Sequence, residues 1–330
     1  MNVLVTGATG FLGSRIAEAL ALDDKISRIV AAGRKPDPLH TVESQKLNYQ
    51  LGDLVDTRYV ERLFEQPIDV VVNCASLSSP WGSYDAFRQA NIVSQANLIA
   101  ASKKAGVRRY VYISTPAIYF NFKNRFNVKE SDPLPEKASN NYAATKLQAE
   151  RLLEKSDLSY ISIRPRALIG RGDTVIFPRL IRSYHEGRLK VVGSGDNLVD
   201  LTAVSNVVHS VKLAIHAPET ACSEAYNICN GEPVKLWEAI NYVLSKFDLP
   251  PPKGQVPYAV ASLAATLMEW KSKLSRSQKE PVLTRQSVGI LARSMTLDIT
   301  KARERLGYEP SQTTWEAIDE FAAWYKTAYQ

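Results

Sequence analysis

The stretch that most constrains this chain is TGATGFLG, residues 6–13. It follows the apolar run Asn2-Val3-Leu4-Val5 and opens a segment in which Ile16, Ala19 and Leu20 recur at helical spacing, so it reads as a strand, a tight turn and a helix. The three glycines have separate uses. Gly7 permits the turn, Gly10 lets a backbone approach a pyrophosphate, and Gly13 lets the helix lie close to the sheet; the helix N-terminus adds free N–H groups and a partial positive charge. Glycines three apart also arise as an ordinary turn with a helix packing site. Their place straight after the first strand favours the phosphate site, with Gly7, Thr9, Gly10, Phe11, Leu12 and Gly13 as cofactor-binding candidates.

From residue 1 to about 165, short β-rich runs alternate with helical segments, the pattern of βαβ units and a parallel sheet. The runs cover 3–6, 28–32, 47–51, 69–74, 109–114 and 160–164. They predict an α/β, doubly wound Rossmann sheet whose ligand lies beyond the carboxyl ends of the strands. After residue 165 the alternation loosens. Helices are expected over 177–186, 206–215, 236–247 and 315–329, brief strands near 189–192 and 224–228, and a loop at Pro250-Pro251-Pro252. This predicts a dinucleotide-binding domain over 1–165 and a smaller, mostly helical substrate-binding subdomain over 166–330, with the chain returning to the sheet near 200–230.

The residues after each run matter most in such a fold. After the second come Gly33, Arg34 and Lys35, where NAD-selective folds place an acid for the ribose 2′-hydroxyl; Arg34 suits a 2′-phosphate and favours NADP(H), with NAD(H) as the other option. After the third, Asp53 and Leu54 stand where a carboxylate accepts from the adenine amino group, or where Asp53 caps a helix beginning near Thr57. After the fourth, Cys74, Ala75 and Ser76 are small enough for a dinucleotide to lie against the backbone. Trp81 and Tyr84, in the following loop, are candidate substrate-pocket walls. The fifth run ends at Ser114-Thr115, and Tyr142 and Lys146 follow at i and i+4 of a helix, on one face.

Composition narrows the classes. Of 330 residues, 45% are hydrophobic and 23% charged, as in a soluble globular protein, so neither disorder nor a coiled coil is suggested. No run approaches the roughly 20 apolar residues of a membrane span, and a strand beginning at residue 2 predicts no signal peptide and a cytoplasmic protein. Cys74, Cys222 and Cys229 are odd in number and lack C-x-x-C spacing, which predicts buried free thiols and neither a disulfide framework nor a metal site. The net charge of +7 is scattered, with no basic stripe interleaved by aromatics, so a phosphorylated cofactor explains it and no nucleic-acid partner is expected. The quaternary state is open, a homodimer included.

These motifs resemble the extended short-chain dehydrogenase/reductase superfamily over essentially the whole length. Carrying the resemblance are TGATGFLG, GDL at 52–54, NCAS at 73–76, NIVSQANL at 91–98, YISTPAIY at 112–119, YAATK at 142–146 and RPRALIGRGD at 164–173. WGSYDAFRQAN at 81–91, GSGDNLVDLTAVSNV at 193–207, NICNGEP at 227–233 and LDITKARERLGYEP at 297–310 look like the 3β-hydroxysteroid dehydrogenase-like branch, which includes bacterial 2-alkyl-3-oxoalkanoate reductases. Two departures stand out: Ser94-Gln95 where the family has Gly-Thr, and Gly33-Arg34 where the branch often has an acid.

The resemblance implies that Tyr142 is the general acid for ketone reduction, its phenol lowered by the neighbouring Lys146 ammonium, since a free phenol near pH 10 is too weak an acid. It also implies that Lys146 binds the nicotinamide ribose, Thr115 hydrogen-bonds the substrate oxygen, Asn91 supports the lysine through a water, and Pro165 and Arg166 lie at the nicotinamide end. The expected function is NADP(H)-dependent interconversion of a secondary alcohol and a ketone on a small, sterol-like or alkyl-chain substrate. Alternatives are a nucleotide-sugar epimerase or dehydratase with tightly bound NAD, its diphosphate held by Arg179, Arg182 and Arg188, and a non-catalytic NADP-sensing protein. Finally, Val260, Leu263, Leu267 and Trp270 recur at helical spacing before Lys271, Lys273 and Arg276. That segment, 256–276, suits a helix covering the substrate domain better than one resting peripherally on a membrane.

Overall fold

In the structure, a computed structural model that describes residues 1–275 and 280–329, seven parallel strands form the central sheet. They are β1 (Asn2–Thr6), β2 (Arg28–Gly33), β3 (Leu47–Leu51), β4 (Val70–Asn73), β5 (Arg109–Ile113), β6 (Tyr160–Pro165) and β7 (Glu224–Ile228). Their order is β7-β6-β5-β4-β1-β2-β3, every pair parallel. The winding reverses between β1 and β4, which opens a crevice beyond their carboxyl ends. Both faces of the sheet are covered, and β1 and β4 at its centre are near-continuous runs of Val and Leu, as parallel strands buried on two sides are.

The doubly wound expectation holds, with one strand more than the first half supplies. The helix Val204–His216 packs back against Phe11–Ala21, β5 and β6, and delivers the chain to β7, which pairs with β6 along its whole length. A further return lies outside the expected 200–230 window. Met295–Leu297 pairs with Arg125–Val128, in a small sheet that also takes in Leu198–Val199 and Val234–Lys235. Leu306 and Tyr308 then join the core beneath the central sheet. Strands of two to four residues carry no readable period, which is why the sequence did not announce them.

The second lobe packs around Ile169, Phe177, Val243, Ile318 and Phe321. Beside it the helix Tyr258–Leu274 lies on Arg285–Ala292, and its buried face is small: Ala261 and Ala265 meet Val288 and Val192. The helix thus covers the lobe, but with its alanines. Leu263, Leu267 and Trp270 turn outward, 63%, 61% and 67% exposed, because the close approach to the neighbouring helix admits only small side chains. Arg276 lies outside the described residues. Among the described residues no helix is long and apolar enough to cross a membrane. All three cysteines are free; Cys229 is buried, whereas Cys74 and Cys222 are only half-buried.

Candidate active site

The glycine corner has the geometry a phosphate needs. Gly7 sits at φ +66°, and a Cβ there would stand 3.0 Å from the Ala75 nitrogen. At Gly13 a Cβ would fall 2.1 Å from the Gly7 carbonyl oxygen, so only glycine lets the helix approach the strand. Gly10 is different: its nearest obstacle is the Gly7 oxygen at 3.4 Å, and it caps Phe11–Ala21 without a side chain. The first N–H groups of that helix have no intrahelical acceptor and are left for a ligand.

This corner opens on a cavity of about 1730 Å³ that runs along the carboxyl ends of the strands into the second lobe. Gly7, Thr9, Gly10, Phe11, Leu12, Gly13, Arg34, Asp53, Leu54, Ala75, Thr115, Tyr142, Lys146, Pro165 and Arg166 all line it. So do Ser76 and Ser114, whose buried hydroxyls have no hydrogen-bond partner among the described residues. Unsatisfied buried hydroxyls beside an anion-binding corner fit a polar dinucleotide. Sequence reasoning picked out Ser76 only for its small size and missed the Ser114 hydroxyl, along with Phe120, Asn140 and Gln286 on the same wall, since each is signalled only by adjacency to a strand end or by tertiary folding.

At the outer end of the cavity, a Cβ on Gly33 would fall 2.3 Å from the Thr9 hydroxyl oxygen, so Thr9 leaves no room for an acidic side chain where β2 ends. The first side chains there are Arg34 and Lys35, both on the cavity. Asp37 lines it too, but one carboxylate oxygen accepts the Leu39 N–H at 3.0 Å. Asp53 accepts the Val55 N–H at 3.0 Å and does not cap Thr57–Leu63; the neighbouring Asp56 does, through the Arg58 N–H.

At the inner end, Thr115 leaves β5 and accepts the Ala117 N–H at 3.1 Å, which caps the short helical turn Pro116–Tyr119. Tyr142 begins the helix Asn141–Glu154, whose N-cap Asn140 accepts the Ala143 N–H at 2.8 Å. Burial pushes the Tyr142 phenol above its ordinary value, and the Thr115 hydroxyl beside it pulls the other way. Lys146 is buried to 1% exposure; its Nζ donates to the Ile113 carbonyl at 2.6 Å and lies 4.1 Å over the Tyr112 ring. Burial brings it down to about 7, against the opposing charge of Glu150. The ammonium thus engages Ile113 and Tyr112, and burial outweighs the Thr115 hydroxyl at the phenol. Glu150 in turn forms a buried ion pair with Arg164, which reaches the Tyr119 hydroxyl and fixes the helix to β6.

Three candidates stand apart from the cavity. Asn91 is buried, but its amide accepts from Leu77 N at 2.7 Å and donates to Leu77 O at 3.2 Å and Thr145 Oγ1 at 3.1 Å. It pins the loop after β4 to the helix Asn141–Glu154. It sits in a π-helical turn, Arg88–Val93, closed by the Ser94 hydroxyl donating to Gln89 O at 3.1 Å. Gln95 accepts from Asn73 at 2.6 Å and Tyr110 at 2.9 Å, so the Ser94-Gln95 departure serves the packing of that helix on β4 and β5. Trp81 lines a separate small depression beside Phe122 and Arg285, and Tyr84 is largely exposed with its hydroxyl on Gln148. Neither is a wall of the large cavity, because the loop that carries them turns toward the helix Asn141–Glu154.

Residues 3–229 match the model of the NAD dependent epimerase/dehydratase family. The chain belongs to that family. This epimerase/dehydratase-family enzyme is 32% identical over 326 residues to the 2-alkyl-3-oxoalkanoate reductase of Stenotrophomonas maltophilia, covering 96% of this chain and 97% of the relative. It is 31% identical over 340 residues to 3beta-hydroxysteroid-dehydrogenase/decarboxylase isoform 1 of Arabidopsis thaliana, covering 96% and 77%. Among solved structures it is similar to MoeE5 in complex with UDP-glucuronic acid and NAD, with a TM-score of 0.77, 25% identity and coverage of 99% and 100%. The expected membership in the extended dehydrogenase/reductase superfamily, and in its 3β-hydroxysteroid dehydrogenase-like branch, therefore stands.

Proposed function

We propose that this enzyme is an NADP(H)-dependent oxidoreductase that interconverts a secondary alcohol and a ketone on a largely apolar substrate. The observation that carries the reading is one cavity with two characters: the glycine corner, Thr115, Tyr142 and Lys146 at one end, and Leu168, Leu236, Ile240, Val256, Val260 and Leu291 on the other wall. The N–H groups of Phe11, Leu12 and Gly13 would hold the pyrophosphate, Asp53 and Leu54 the adenine, Arg34 a 2′-phosphate, and Lys146 the nicotinamide ribose. When bound, the dinucleotide supplies the hydride that turns the carbonyl carbon into an alcohol carbon.

The chain's own residues handle the oxygen. Tyr142, kept protonated by burial, donates its phenolic proton to the ketone oxygen and takes it back for the reverse reaction. Thr115 donates a hydrogen bond to the same oxygen as negative charge develops there. The aliphatic wall excludes water and seats the apolar body of the substrate. Of the three arginines that could hold a nucleotide sugar's diphosphate, Arg179 pairs with Glu280, Arg188 pairs with Glu186, and Arg182 is not on the cavity. The relatives' names, a 3-oxoalkanoate reductase and a 3β-hydroxysteroid dehydrogenase, agree with the apolar reading.

The test is oxidation of NADPH and of NADH by the purified protein, with long-chain 3-oxo acids and esters, sterol ketones and UDP-glucose as substrates. The reading expects consumption of NADPH on the apolar ketones, with KM for NADPH rising about tenfold in Arg34→Ser and KM for NADH unchanged. Protein that purifies with bound NAD and interconverts UDP-sugars without added cofactor would overturn it.

A further inference from the structure

The helix Tyr258–Leu274 turns its large side chains away from the protein. Val260, Leu263, Leu267, Trp270 and Leu274 follow one another at spacings of three, four, three and four, and each is more than half exposed. At 3.6 residues per turn they fall within about 80° of the helix circumference, nearly opposite Ala261 and Ala265, which hold the helix to the lobe. Scattered exposed leucines are ordinary, but five large apolar residues in one stripe make a contact surface. Its charge narrows what it meets. Lys271 and Lys273, both exposed, flank the stripe at its C-terminal end. The one acid of the helix, Glu269, turns to the neighbouring helix and accepts the Arg285 N–H at 2.7 Å. An outer face that is apolar and cationic complements an anionic lipid surface. A second copy would bring these lysines only the same patch, which carries no carboxylate on its outer face. The place of the stripe matters as well. Val260 also lines the large cavity, as do Val282 and Ile290, and all three are exposed. Residues that both wall a cavity and meet solvent mark an opening, so the aliphatic arm opens beside the stripe through an apolar rim.

We propose that the outer face of Tyr258–Leu274 rests on an anionic lipid surface. The stripe enters the acyl boundary, Lys271 and Lys273 extend to the headgroup phosphates, and the apolar substrate passes between bilayer and cavity without crossing water. The lipid contact stands apart from the oxidoreductase reading; only the substrate's route rests on it.

The experiment is sedimentation of the full chain with vesicles of phosphatidylcholine alone or mixed with an equal part of phosphatidylglycerol. The wild type is expected to bind the anionic vesicles, and less so at high salt. Leu263→Glu combined with Leu267→Glu should lose at least about 100-fold in partition, and Lys271→Ser combined with Lys273→Ser about 30-fold on anionic vesicles and little on neutral ones. Vesicles should shift the tryptophan emission of the wild type to the blue and leave that of Trp270→Phe unmoved. Tm and NADPH affinity should stay at wild-type values throughout, since none of these side chains lines the large cavity. No vesicle binding by the wild type, or equal binding by the glutamate pair, would overturn the proposal. So would a dimer in light scattering that the glutamate pair splits, because a second copy would then cover the stripe. If the glutamate pair does not fold, the lysine pair decides on the same terms. Turnover separates the two readings: the glutamate pair should reduce a long-chain ketone carried in the vesicles about tenfold more slowly and a water-soluble short-chain ketone at the wild-type rate. Vesicle binding without reduction of either ketone would sink the oxidoreductase reading alone. Reduction of both by a protein that ignores vesicles would sink the lipid contact alone.

Discussion

A single buried amine decides much of the chemistry. Desolvation brings Lys146 down to about 7, whereas in the unfolded chain it returns to about 10.4. Between those values the unfolded chain binds the extra proton, so folding stability gains from this residue as pH rises from 7 toward 10. Urea unfolding of the cofactor-free protein should show the wild type gaining roughly 2 kcal/mol more than Lys146→Met between pH 7 and pH 9. Equal gains would mean that Lys146 keeps its ordinary value. For Tyr142→Phe, turnover should fall by about 10³-fold while NADPH affinity stays within about threefold, because the phenol acts on the substrate oxygen rather than on the dinucleotide. At Gly13 the prediction is structural: a Cβ 2.1 Å from the Gly7 oxygen must push helix from strand. Gly13→Ala should therefore lower Tm and weaken NADPH binding together, and an unchanged Tm would show that the corner has slack.

Among the elements, legibility followed burial and length. The six strands of the first half announced themselves through β-branched runs, and the corner and the Tyr142/Lys146 pair through fixed spacing. Asn91 was legible as a position, but its partners Leu77 and Thr145 were not, because they come from other elements. Trp81 and Tyr84 were read as pocket walls on residue type, and only the direction of their loop shows otherwise. The helix Tyr258–Leu274 shows the same limit. Its large apolar residues have helical period, which sequence reasoning assigns to a core, yet Ala261 and Ala265 are the residues inside. Leu267→Glu should change unfolding free energy by no more than about 0.5 kcal/mol, as at an exposed site. Ala265→Leu should cost about 1–3 kcal/mol through overpacking. Urea denaturation of the pair checks both, and the opposite ranking would mean that the helix is packed on its other face.

For the molecule as a whole, the second half does not hang from the first as a separate bead. The helix Val204–His216, β7 and the segment around Tyr308 all pack into the core of the central sheet, and the Tyr308 hydroxyl donates to Cys229 O at 3.0 Å. The segment around Tyr308 was not visible in the sequence, because it is short and its partners are distant in sequence. Tyr308→Ala should cost about 3–5 kcal/mol and shift one shared unfolding transition, read by circular dichroism and calorimetry. Two separate transitions would contradict that coupling. The same interlocking lets one cavity run from the glycine corner into the second lobe, so that cofactor and substrate ends face each other. A structure of the enzyme with NADPH bound measures this directly. The account predicts nicotinamide C4 within about 5 Å of the Tyr142 hydroxyl, the room one carbonyl needs between hydride and proton donors. A ring seated away from Tyr142 and Thr115, with the pyrophosphate off the Gly10 corner, would contradict it.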